Sequence, residues 1–265
     1  MSVVLALADG CQRALNAPAL IIGLWAVLAL VPSPVAIARI DAYVALIDAS
    51  AMDAVPALVS LLWNNPALLS HAALFTFLLG GAMDRLARNR ATAAFGFFGA
   101  CGMFVFRFAR LGLIAVPLYL GLFLWLAPRL PSDHTLSVFV LGVLVLFAHV
   151  MFDYAKVRMV VEDRRSAIGG LVASIRFIRR NPGSAIALGV INGSIAAGTW
   201  WLAATFTIGL SAALYAYLLA RALLKLIFAA SHIALFQSRL AHAGYTARAR
   251  ATWPESPAAE AVRPY

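Results

Sequence analysis

The chain alternates long apolar runs with short polar islands, and the runs have the length of membrane spans rather than of ordinary core helices. A helix that crosses the hydrocarbon core of a bilayer needs roughly 20 predominantly apolar residues. Runs of that kind lie at about 18–31, 66–82, 111–127, 136–152, 184–206 and 211–236. The last is longer than a span needs, which leaves it free to tilt or to project beyond the bilayer. The pattern predicts an all-α membrane protein with about six transmembrane helices. It also predicts a single transmembrane helical domain over 1–245 and a disordered cytoplasmic tail over 246–265, where Ala and Pro dominate without periodicity.

The largest polar island, 153–182, organises the rest. Lys156, Arg158, Arg164, Arg165, Arg176, Arg179 and Arg180 outnumber Asp153, Glu162 and Asp163 there. An excess of Lys and Arg places such a segment on the cytoplasmic side. Within it Ile168, Leu171, Val172, Ile175 and Ile178 recur at helical spacing, with Arg165, Ser174, Arg176 and Arg180 off that face. This predicts an amphipathic helix lying in the headgroup region. The exposed guanidiniums of Arg164, Arg165, Arg176, Arg179 and Arg180 would then meet either anionic lipid or a cytoplasmic protein partner. Asn181 followed by Pro182 reads as an N-cap and first helical residue, restarting the chain as a span.

Further amphipathic stretches flank the spans. Near the N-terminus Val4, Leu7, Ala8, Cys11 and Leu15 line one helical face and Asp9, Gln12, Arg13 and Asn16 the other, so a short interfacial helix is expected and a cleaved signal is not. The Phe-rich stretch 94–106, with Gly96, Gly99 and Gly102, reads either as a close-packing glycine face or as a Phe-anchored interfacial helix ending at Arg107 and Arg110. The connection 32–65 carries Asp41, Asp48 and Asp53 against Arg39 alone, and two short apolar segments in it are expected on the outer leaflet. With both termini cytoplasmic, only Arg39 and Arg129 fall outside, and Trp63, Trp125, Trp200 and Trp201 form an outer aromatic belt. Residues 9–24 and 173–188 share one order, a basic amphipathic segment, Asn and Pro, then an apolar helix, which is a weak parallel repeat.

Composition narrows the classes. A hydrophobic content of 63% and a mean hydropathy of +0.88 exclude a soluble domain of ordinary makeup. The formal charge of +10 sits beside apolar runs rather than along a soluble face, so anionic headgroups account for it and a nucleic-acid partner is not expected. Cys11 and Cys101 are far apart and are expected as reduced thiols. No metal-ligand spacing, phosphate loop or nucleophile signature occurs, so no cofactor, metal site or catalytic set is expected.

The last apolar run nevertheless holds Tyr217, Arg221, Lys225 and His232, whose spacing keeps them on one helical face. An Arg or Lys at a span centre costs roughly 2.5–3.5 kcal/mol on insertion scales and faces a bundle interior or a wet cavity. One reading is a cavity for an anion or lipid headgroup, with His149 and Asp153 of the fourth span as further lining. The other is that Arg221 and Lys225 snorkel to phosphates or pair internally with Asp153 or Glu162.

The segment from Asp153 to Gly183, together with the stretches FFGACGMFVFRFARLGLIA, RALLKLIF and FQSRLAHAGY, resembles uncharacterised bacterial polytopic membrane proteins. Over the region from Glu162 to Leu188 it is more distantly similar to the membrane domain that accompanies some glycerophosphodiester phosphodiesterases and to YciC-type proteins. The resemblance implies spans alternating with interfacial helices and carries no catalytic residue. From residues and resemblance together the expectation is a non-enzymatic protein of the bacterial inner membrane, an accessory subunit or envelope component that organises lipid or docks a partner. The alternative is a transporter or channel for a lipid or small anion.

Overall fold

The computed structural model describes residues 2–30, 66–126, 129–130, 134–206 and 211–244. Among these the chain is all-helical: α1 (Val3–Leu15), α2 (Pro18–Leu30), α3 (Pro66–Arg88), α4 (Ala94–Leu120), α5 (His134–Val161), α6 (Ala167–Arg180), α7 (Pro182–Phe206) and α8 (Ser211–Gly244). Among the described residues three helical stretches are long and apolar enough to cross a membrane, Ala94–Phe123, Phe139–Val161 and Tyr215–Leu240. The expected outer segments of 32–65, with Trp63, and the tail 246–265 lie outside the described residues.

Local chemistry sets the helix ends. Ser2 and Ser166 cap α1 and α6 by accepting from the backbone N–H of Leu5 (3.3 Å) and Gly169 (3.1 Å). Asn89 after α3 and Asp163 after α5 take the left-handed conformation, at φ 49° and 51°, which turns the chain out of the helix. Pro182 opens α7 as its first residue. Asn181 does not act as that helix's side-chain cap. Its carbonyl accepts from Ala185 N–H, while its side-chain amide turns back to donate to the Phe177 carbonyl at 3.3 Å and so closes α6.

Three expectations change. The Phe-rich stretch is the first half of α4, one helix running on through Pro117 into a π-helical turn at Gly121–Leu126. Nothing between Ala94 and Pro117 breaks a helix, and Arg107, expected as its end, instead reaches across to pair with Asp163 at 2.6 Å. Gly96, Gly99 and Gly102 face open space, so the close approach within this chain falls elsewhere. α1 buries Ala6, Gly10 and Ala14, whereas Val4, Leu5 and Leu15 are exposed. That small-residue stripe lets α1 lie against α8: a Cβ on Gly10 would stand 2.7 Å from the Ser231 backbone nitrogen. In α6, Ser174, expected on the polar face, is fully buried and its hydroxyl donates to the Leu171 carbonyl, while Ile168 is 68% exposed and Val172 is exposed too. α6 docks through Ala167, Gly170, Leu171, Ser174, Phe177 and Ile178, and Ile168 and Val172 face away from the bundle.

The polar ends of the helices gather. Arg13 of α1 donates to the Leu86 carbonyl in the last turn of α3, to Gln237 Oε1 of α8 at 2.8 Å, and to Asp9. Gln237 donates in turn to the Ala87 carbonyl at 2.8 Å. Carbonyls left free at the C-terminus of α3 are thus closed by two side chains from other helices. At the opposite end of α8, Trp25 of α2 donates to the Tyr215 carbonyl, and Trp125 and Trp201 are exposed near the far ends of α4 and α7.

Candidate functional site: an arginine-lined groove

α5 runs past its apolar stretch to Val161, which carries Arg158 to the foot of α6. Arg158 is held on three sides: its guanidinium grips Glu162 with two bonds of 3.2 and 2.6 Å, donates to the Ala173 carbonyl at 2.6 Å, and lies over the Phe236 ring. Arg164 also bonds Glu162. The polar side of α6 presents Arg176 and Arg180, four residues apart and therefore stacked along one edge. The end of α8 supplies Arg239, whose terminal nitrogen donates to Ser184 Oγ while its Nε is buried without a partner.

These five arginines line one open cavity of about 510 Å3 together with Val172, Ala173, Phe177, Phe236 and Leu240. Rings make the floor: Phe177 meets Phe236 edge-on at 5.1 Å and Tyr154 at 4.8 Å. The groove has a cationic rim and an apolar bed, and it opens beside the exposed Ile168 and Val172. Planar guanidiniums suit two-point contact with phosphate oxygens better than ammonium groups do.

A second polar cluster lies one helical stretch away. The side chain of His149 is 65% exposed; its Nε2 stands 3.3 Å from Asp153 Oδ2, and Lys156 Nζ is 2.5 Å from the other carboxylate oxygen. His232, with its side chain 3% exposed, approaches the same Oδ2 at 4.0 Å from α8. Asn192 Nδ2 of α7 lies 3.3 Å from His232 Nε2 and 3.4 Å from Ser231 Oγ. Tyr154 Oη, Asn192 Oδ1 and His232 Nδ1 are buried around it without hydrogen-bond partners.

The structure therefore divides the residues that the sequence grouped. His149, Asp153 and His232 come together. Tyr217, Arg221 and Lys225 form another group, where Arg221 donates to the Tyr217 hydroxyl at 3.2 Å and Lys225 sits 4.1 Å from the Phe75 ring centre of α3. Lys225 and His232 are seven positions apart, about 10 Å along the axis of α8, too far for one small anion to touch both. Glu162 and Asp153 have their closest partners elsewhere, in Arg158 and Arg164 and in Lys156.

Of the surface arginines, Arg164, Arg176 and Arg180 enter the groove, and Arg165 and Arg179 are not among its lining residues. Arg158 and Arg239 were not among the candidates read from sequence, nor were Tyr154, Asn192 and Ser231. Asn192 carried a signal, a lone carboxamide inside an apolar run. Arg239 carried a weaker one: it follows Phe236 by three positions and precedes Leu240, so its helical phase alone puts a cation on an apolar face. Among the described residues no group of three or more His, Cys, Asp or Glu could hold a metal ion. Compared with protein-family models, curated proteins and solved structures, the chain matches none.

Proposed function

We propose that this chain is a non-enzymatic, multi-pass protein of the bacterial inner membrane, with about six spans and both termini cytoplasmic, that organises anionic lipid at its arginine-rich end. The observation that carries the reading is the groove itself, five guanidiniums above a bed of Phe177 and Phe236. A soluble anion would use only its rim, whereas an anionic lipid uses rim and bed together and continues along the exposed Ile168 and Val172. Interfacial α1 and α6 would then seat the protein at the headgroup level. The test is native mass spectrometry of the protein extracted gently from its own membrane. Co-purifying anionic lipid, lost in the double variant Arg176→Gln/Arg180→Gln, supports the reading. A bare protein that also fails to take up added anionic lipid rejects it, and a stoichiometric second polypeptide would make this chain an accessory subunit.

One observation favours a second reading, transport of a lipid or small anion. Three unpartnered buried polar atoms, on Tyr154, Asn192 and His232, stand inside the bundle, and Arg221 lies further along the same α8. Substrate-dependent flux in liposomes that Arg221→Ala abolishes would decide for it.

A further inference from the structure

We infer that the groove is built for a lipid headgroup carrying a phosphomonoester, a group of nearly two negative charges, in preference to the singly charged phosphodiesters of bulk anionic lipid. The inference rests on the lipid-binding reading above and follows from which arginines are already compensated. Arg158 and Arg164 share the carboxylate of Glu162. Arg107, just outside, is matched by Asp163. Arg239 has a neutral partner, Ser184 Oγ, and its Nε is an unsatisfied buried donor. Arg176 and Arg180 have neither an ion pair nor a hydrogen bond among the described residues, and they share the groove with Arg239.

Three guanidiniums with no carboxylate partner among the described residues therefore line one cavity. Like charges that line one cavity repel one another, and the repulsion is relieved by an anion whose charge approaches their sum. A phosphomonoester carries about −1.5 to −2 at neutral pH and offers three acceptor oxygens, whereas a phosphodiester carries one charge and fewer free oxygens. The guanidiniums of Arg176 and Arg180 on α6 can meet such a group with paired N–H donors, and Arg239 on α8 adds a positive charge to the same cavity. The apolar bed assigns the source: Val172 and Leu240 continue the groove as hydrocarbon, which a free phosphate leaves uncovered.

The experiment is a competition read by native mass spectrometry on the full chain in detergent. Phosphatidic acid and phosphatidylglycerol of identical acyl chains are offered together, and inorganic phosphate is offered in a separate arm. The expected result is preferential retention of phosphatidic acid, reduced roughly tenfold or more by Arg176→Gln or by Arg180→Gln, since each removes a charge-assisted hydrogen bond. The variants Arg165→Gln and Arg179→Gln change the net charge equally but lie off the groove, and they leave the preference intact. Equal retention of both lipids, still lost on Arg176→Gln, overturns the phosphomonoester preference and leaves the lipid reading standing. Retention that Arg165→Gln reduces as much as Arg176→Gln overturns the groove as the site. Inorganic phosphate that displaces phosphatidic acid at equal concentration overturns the lipid as its source.

Discussion

Two clusters of charge sit on α5 and its continuation, and they are balanced differently. Around Asp153 a single carboxylate is surrounded by Lys156 and His149 of its own helix and by His232 of α8. Around Glu162 a single carboxylate faces a groove lined by five guanidiniums, and it engages two of them. The first cluster closes on itself and ties α5 to α8. The second is left with positive charge that nothing among the described residues offsets. An internally matched cluster holds helices together, and an unmatched one at a surface waits for something outside the chain.

The comparison can be broken most forcefully at Asp153. Asp153→Ala leaves Lys156, His149 and His232 without their shared carboxylate, and because the pair with Lys156 is half-buried the loss falls at or below the lower end of the roughly 3–5 kcal/mol that breaking a buried pair costs. The expected outcome is a large fall in the unfolding midpoint in detergent, followed by circular dichroism; an unchanged midpoint would mean that this cluster does not tie the bundle. Gly10→Ala tests whether the cluster's other neighbour, Ser231, is fixed by close helix contact. Its new methyl would stand 2.7 Å from the Ser231 backbone, and overpacking of this kind costs about 1–3 kcal/mol.

Arg158→Ala sharpens the contrast, because Arg158 lines the groove yet is spent on internal bonds. Losing its charge-assisted bonds should lower stability by about 1.5–3 kcal/mol, with the docking of α6 affected first, which hydrogen exchange of the α6 amides would report. Arg176→Gln is the mildest change to the fold, within about 0.5 kcal/mol for an exposed side chain, and its effect should fall on lipid retention instead. A variant that unfolds the protein as far as Asp153→Ala does would erase the distinction between matched and unmatched charge.

Much of the fold was legible in the chain. The positions of α2, α3, α5, α7 and α8, the short helices α1 and α6, and the Pro182 restart all followed from runs of apolar residues and their punctuation. The fusion of the Phe-rich stretch into α4 was missed because Arg107 and Arg110 looked like a boundary, when Arg107 has an acidic partner, Asp163, in the link between α5 and α6. The site was only half legible. Arg164, Arg176 and Arg180 stood out as a basic run, but only the packing turns Arg158 of the neighbouring α5 into the same groove and brings Arg239 to it from the distant end of α8. The stripe on α8 was read as one surface, and it divides because a long helix passes different neighbours along its length: Phe75 beside Lys225, Asp153 and Asn192 beside His232.

The sequence by itself determined that the chain is helical, where most helices start, and that its positive charge collects at particular helix ends. Those are local properties, set by hydrogen bonding along one segment and by the cost of placing charge in hydrocarbon. Tertiary structure alone decided which face of each helix turns inward. In a bilayer an apolar side chain is as well placed against lipid as against protein, so hydrophobicity does not separate inside from outside. Ala6, Gly10 and Ala14 are buried because small residues let helices approach, while Val4, Leu5 and Ile168 are left facing out. The same packing brought Arg239 into one groove with Arg176, with no carboxylate paired to either among the described residues.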